Sequence, residues 1–198
     1  MRRSREEAAE TRRRIVETAA TQFRAHGVAG IGIADLMAKA DLTHGGFYRH
    51  FESKDQLVAE ACRHALDQTT EDIATAAEKA PGGRGLETAL RRYLHPLHRD
   101  VPEKGCALAA IGSEVTRSDT AARAAMTEGF QSLVDTVRRQ LPDLSPAETE
   151  ERALAIVAAM IGSLMMARLV PDKNLSNRIL RASRAHLLAL ARVEEDPA

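Results

Sequence analysis

The sequence is poor in the residue types that usually announce a site. It has no tryptophan, and aromatics make up 3% of its 198 residues. Its two cysteines, Cys62 and Cys106, are too few for a disulfide framework. No CxxC or Cys/His spacing points to zinc, and a reducing, intracellular setting is the expectation. There is no excess charge, since 28 Lys and Arg balance 28 Asp and Glu. This argues against a basic protein that coats nucleic acid without choosing a site. A whole-chain sum hides placement, however. Up to His64 there are 11 basic and 9 acidic residues, and the remainder reverses that sign. There is no long apolar run either. The longest uncharged stretch, Ala153 to Ala167, falls short of the roughly 20 residues of a membrane helix and reads as a buried or interface helix. The N-terminus is charged and lacks the apolar core of a signal peptide, so a cytoplasmic protein without membrane contact is expected.

What is present is helical. Hydrophobic residues are 44% and charged residues 28%, a globular balance. Alanine is abundant, while isoleucine and valine are sparse, which favours an all-α fold. Ser4 and Glu7 fit a capping box for a first helix ending at His26-Gly27. Its apolar face is Ile15, Val16, Ala19, Ala20 and Phe23. A short helix from Ile33 to Ala40 follows, then a break at Asp41-Leu42. Thr43 can cap a second short helix that ends near His50-Phe51. Ser53 and Gln56 form another capping box and open a long helix. After a loop at Pro81-Gly82-Gly83-Arg84-Gly85, residues Leu86, Leu90, Tyr93, Leu94 and Leu97 mark a helix that Pro96 bends or ends. Further helices are expected from Ala107, from Asp119 to Leu141, from Ser145-Pro146-Ala147-Glu148 to Val170, and from Leu175 to Val193. The expected architecture is an N-terminal three-helix unit over residues 1–52 and a larger helical domain over 53–198, about nine helices.

The two short helices after a longer one have the arrangement of a helix-turn-helix, whose second helix enters the DNA major groove. Any small helical bundle can show that spacing; the residues make it more specific. Thr43-His44-Gly45-Gly46-Phe47-Tyr48-Arg49-His50 is a poor helix, its paired glycines costing about 2 kcal/mol relative to alanine. Glycine at a helix start lets backbone N–H groups approach a phosphate or a base edge. Phe47 and Phe51 face the core, leaving His44, Tyr48, Arg49 and His50 outward as hydrogen-bond donors. Lys54 sits in the first turn of the Ser53-capped helix, where a cation opposes the helix dipole, and this suggests an external anion.

With Ile33-Ala34-Asp35-Leu36 and Ala40-Asp41-Leu42-Thr43 before it, the run Phe47-Tyr48-Arg49-His50-Phe51-Glu52-Ser53-Lys54-Asp55-Gln56-Leu57 resembles the DNA-binding domain of the TetR/AcrR family of transcriptional regulators. The resemblance covers Thr11 to Leu57. Two positions depart from the usual pattern. Asp41 stands where the family often has glycine, and Gly32 where a Ser or Thr often caps the second helix. The resemblance implies that Thr43, His44, Gly45, Gly46, Tyr48, Arg49 and His50 meet DNA, with Lys54 on phosphate. His44 and Arg49 are the candidates for reading bases, and His50 equally suits a packing role beside Phe51. Arg2, Arg3 and Arg5 suit an arm along the adjacent groove. Arg12, Arg13 and Arg14 suit a solvated helix face.

The resemblance also implies a small-molecule effector and a homodimer formed by the last two helices. Small residues Ala155, Ala158, Ala159, Gly162 and Ser163 allow close helix approach, and two helices per subunit would make a four-helix interface. Candidate effector contacts are Tyr93, Leu97, His98, Cys106, Met126, Phe130, Met160 and Leu164, all residue types that also fill ordinary cores. Cys106 follows Lys104-Gly105 at a loop-to-helix junction, where a thiol either senses oxidants or lies buried and inert. No nucleophile with a paired base, metal set, cofactor motif or phosphate loop points to an enzyme. The expected function is a ligand-responsive repressor of a palindromic double-stranded DNA operator. The alternatives are a helical carrier or adaptor without DNA binding, or a regulator sensing oxidants or electrophiles through Cys106.

Overall fold

The computed structural model describes residues 5–142 and 145–191. Among the described residues there are nine α-helices and no strand. The helices are α1 (Arg5–His26), α2 (Ile33–Lys39), α3 (Lys54–Glu78), α4 (Gly85–Tyr93), α5 (Pro96–Asp100), α6 (Ala107–Val115), α7 (Thr120–Arg138), α8 (Pro146–Leu169) and α9 (Lys173–Leu190). Short 3-10 helices occupy His44–Arg49 and Pro102–Lys104. The Ser4 cap, Arg2, Arg3 and the expected end at Val193 lie outside the described residues. Arg5 is not part of an extended arm; it is the first residue of α1, and it is exposed.

Most boundaries follow from local chemistry. The α1 helix ends at Gly27, whose φ of 79° favours a residue without Cβ. At α3, Ser53 Oγ accepts from Gln56 N at 3.1 Å, while the Gln56 side chain accepts from Glu52 N at 2.8 Å. At α8, Ser145 and Glu148 complete a reciprocal capping box ahead of Pro146. Asp119 and Asp172 cap α7 and α9. One expected helix is two. Pro96 has no N–H to continue α4, and His95 Nδ1 caps a fresh start by accepting from Leu97 N at 3.1 Å.

The chain forms two compact units. The first runs up to Gln68 and takes in Pro102–Gly129. Its core includes Phe23, Leu36, Met37, Phe47, Phe51 and Leu57. Within it, α7 passes so close to α3 that a Cβ on Gly129 would lie 2.4 Å from Leu66 Cδ1. The second unit holds Thr69–Val101 and the chain from Phe130 on. There α8 packs along α9, and α4 and α5 meet them. By length and composition alone α8 is apolar enough to cross a membrane, a property shared by core helices. Ile156, Val157, Met160 and Leu164 are buried; Leu154, Met166 and Leu169 are exposed, as are Leu175 and Leu190 on α9.

Candidate nucleic-acid interface

Asp41 makes the break before the recognition segment, in the left-handed conformation at φ 56°. Aspartate tolerates that region better than most residues with a Cβ. The chain then enters His44–Arg49 as a 3-10 helix rather than the expected α-helix. The glycine pair weakens α-helical propensity, and so short a run suits 3-10 geometry. Thr43 stands at the N-cap as expected, but its side chain makes no cap bond; its carbonyl accepts from Gly46 N at 2.9 Å.

Two aromatic anchors set which way this segment faces. Phe47 and Phe51 are buried, with ring centres 5.5 Å apart in a stacked pair. The Arg12 guanidinium lies 4.2 Å from the Phe51 ring centre and makes a bidentate pair with Glu60. Arg12 is therefore not on a solvated face: it clasps α1 to α3 over the recognition aromatics. Arg13 does lie on the surface, paired with Glu10 and Glu17.

With the phenylalanines turned in, Thr43, His44, Gly45, Tyr48 and Arg49 are exposed, and Gly46 and His50 are half-buried. Tyr48 is 64% exposed, its ring edge-on to Phe47 at 5.2 Å. Among the described residues no ion pair engages Arg49. The surface thus offers hydroxyl, imidazole, phenol and guanidinium donors side by side. Internal packing requires neither glycine. A Cβ on Gly45 would meet nothing within 4 Å, and one on Gly46 would make ordinary contact with Met37 Cε at 3.5 Å. What Gly45 supplies is backbone open to an approaching surface.

Lys54 is a different case. Its Nζ donates to Val28 O and Ile31 O, both at 2.7 Å. These two carbonyls account for the cation at the helix start, so the inference from the helix dipole to an external anion falls. One N–H remains for a phosphate. Gly32 caps α2 without a side-chain bond, so the cap hydroxyl common at that position is missing.

The effector candidates fall in both units. Cys106 and Met126 belong to the first unit, and Tyr93, Leu97, His98, Phe130, Met160 and Leu164 to the second. Tyr93, Cys106, Met126, Met160 and Leu164 are buried, and His98 and Phe130 half-buried. Leu97 is 68% exposed, because the Pro96 restart turns it away from the α4 face. Leu97 is thus a surface residue and not a lining one. His98 Nδ1–H donates to Tyr93 O at 2.6 Å, and burial lowers its pKa to about 4, so the ring is neutral. Cys106 stands at the N-cap position of α6 without a side-chain cap bond and is fully buried. Burial pushes the Cys62 thiol up to about 12, which keeps it protonated.

Reading the sequence misses the long-range contacts of three residues in the first unit: Arg12, Glu60 and Glu114. Glu114 of α6 accepts from Val28 N at 2.9 Å and Ala29 N at 3.4 Å. Its partners lie over 80 positions earlier, so no local pattern reveals them.

Comparison with known proteins agrees with this geometry. Residues 15–61 match bacterial regulatory proteins of the tetR family. Residues 83–181 match the C-terminal domain of LmrA/YxaF-like transcriptional regulators. The HTH-type transcriptional regulator TtgR of Pseudomonas putida is 41% identical over 78 residues, 39% of this chain and 37% of that protein. The chain thus aligns with little more than a third of that relative's length. A TetR transcriptional regulator from Chloroflexus aurantiacus superposes with a TM-score of 0.76 at 26% identity, over 93% of this chain and 95% of that one. AibR, crystallised with isovaleryl coenzyme A and operator DNA, shares the fold at a TM-score of 0.63 and 18% identity, over 89% of this chain and 97% of that one.

Proposed function

Because the chain belongs to the TetR family of bacterial regulatory proteins, we propose that it is a DNA-binding transcriptional regulator: a homodimeric repressor that a small molecule releases from a palindromic operator. The observation that carries this reading is the donor-rich exposed surface His44–Arg49, anchored from below by Phe47 and Phe51. Residues 1–52 carry recognition, and 53–198 carry effector binding and dimerisation. Arg49 and His44 read base edges, while Thr43, Gly45, Gly46, Tyr48 and His50 position the backbone, joined by the remaining N–H of Lys54. Two such segments in a dimer enter successive major grooves about 34–36 Å apart. Exposed leucines and Met166 on α8 and α9 support a self-complementary helical interface. An effector that prefers a different spacing of the recognition segments shifts the population away from DNA. The protein then acts in the cytoplasm, and catalysis has no part in the reading.

The test is selection from a random pool of DNA duplexes, followed by footprinting. A repressor protects two inverted half-sites, and Arg49→Ala weakens and broadens that selection. A wild-type protein that enriches no sequence sinks the reading and leaves the carrier or adaptor alternative.

A further inference from the structure

The loop between α1 and α2 is gripped from two sides within the first compact unit. Lys54 of α3 holds the carbonyls of Val28 and Ile31. Glu114 of α6 holds the N–H groups of Val28 and Ala29. Val28 is held at both its N–H and its carbonyl. Gly27, directly before it, has its Cβ position 2.6 Å from Glu114 Oε1, so the carboxylate lies in space that only glycine leaves open. A second tie lies at the other end of α6. The buried Arg24 guanidinium donates to Gly105 O at 2.9 Å, and its Nε to Ala20 O at 2.9 Å. Gly105 lies two residues before α6, and from Ala107 to Glu114 is about 10 Å of helix rise, so α6 is fastened to the end of α1 at two separated points.

We propose that Glu114 is a positioning residue for DNA recognition. Its carboxylate fixes the loop from which α2 starts, and so sets the presentation of α2 and the recognition segment that packs on it. The inference rests on the DNA-binding reading above. Val28 and Ala29 N–H lie beyond the last turn of α1 and have no place in its ladder, so the carboxylate supplies acceptors that the backbone does not. A displacement of the Glu114 carboxylate by about 1.5 Å directly away from Val28 takes the 2.9 Å bond past hydrogen-bonding range. Whatever moves α6 is thereby felt by the recognition segment.

Glu114→Ala and Glu114→Gln test this in the full-length protein with two readouts. Amide hydrogen exchange at Val28 and Ala29 should rise about tenfold or more in Glu114→Ala, and less in Glu114→Gln, which keeps one carbonyl oxygen. Affinity for the duplex that wild-type protein enriches from a random pool should fall by about tenfold in Glu114→Ala, with partial rescue in Glu114→Gln. Circular dichroism should show helix content retained in both. Unchanged exchange at Val28 and Ala29 overturns the proposal. So does faster exchange with wild-type affinity, which would make the clasp local. If wild-type protein enriches no duplex, the DNA-binding reading fails and takes this proposal with it.

Discussion

Two segments of this chain have nearly the same polar vocabulary and opposite fates. Thr43–His50 contains two histidines, a tyrosine and an arginine; Arg91–Asp100 contains two histidines, a tyrosine and three arginines. In the first, Tyr48 and Arg49 stand in solvent above a buried phenylalanine pair. In the second, most polar groups are consumed. His95 caps α5, and His98 bonds the Tyr93 carbonyl. Arg92 pairs with Asp72, and the buried Arg99 binds Asp100, Ser176 and Asn177. Asp100 is further held by Lys173, and these cations keep its carboxyl well below the usual range. Residue type is therefore a poor guide to function. What separates the two is whether the fold already supplies the partners.

The largest expected effect attacks the consumed segment. Arg99→Ala leaves Ser176, Asn177 and Asp100 without their guanidinium, and should lower the unfolding free energy by about 3 kcal/mol in urea titrations. Arg49→Ala attacks the open segment and should do the reverse. Affinity for the selected duplex should drop by about tenfold or more, and the melting temperature should stay within about 2 °C. Equal destabilisation by the two changes would erase the distinction. His98 gives a smaller, pH-dependent effect. The unfolded chain takes up a proton near pH 6.5, whereas folded His98 resists it until about 4. Stability should therefore fall as pH drops from 6.5 towards 4 and level off below that. His98→Gln should lack this component, on the order of 2 kcal/mol at pH 5, in paired denaturation curves. The smallest effect is expected at Gly45. Gly45→Ala introduces a methyl into open space and removes a glycine's helix penalty, so the unfolding free energy should rise by no more than about 1 kcal/mol while DNA affinity falls.

The recognition segment was legible because its signals are local. Capping residues, a phenylalanine pair four apart and a glycine pair all act within a turn or two of themselves. The 3-10 geometry was not legible, because α and 3-10 helices share the same residues at this length. Leu97 was misplaced for a related reason: apolar spacing runs across Pro96 in sequence, while His95 restarts the helix on a new axis. Lys54 and Arg12 show the harder limit. Their partners, Val28 and Ile31 in one case and Glu60 in the other, lie 23 to 48 positions away. A periodicity argument sees a free cation where the folded chain has a partnered one.

Gly129 and Leu66 carry a consequence for how this chain can vary. Three Leu66 side-chain atoms stand within 3 Å of the place where any Cβ at position 129 would be. Position 129 therefore has no acceptable single substitution while Leu66 remains. One of the three is Leu66 Cβ, at 2.6 Å, so alanine at 66 would leave the clash and only glycine there would clear it. In a library randomised at both sites, survivors should keep glycine at one position or the other, and the helix crossing tolerates a single Cβ at that point.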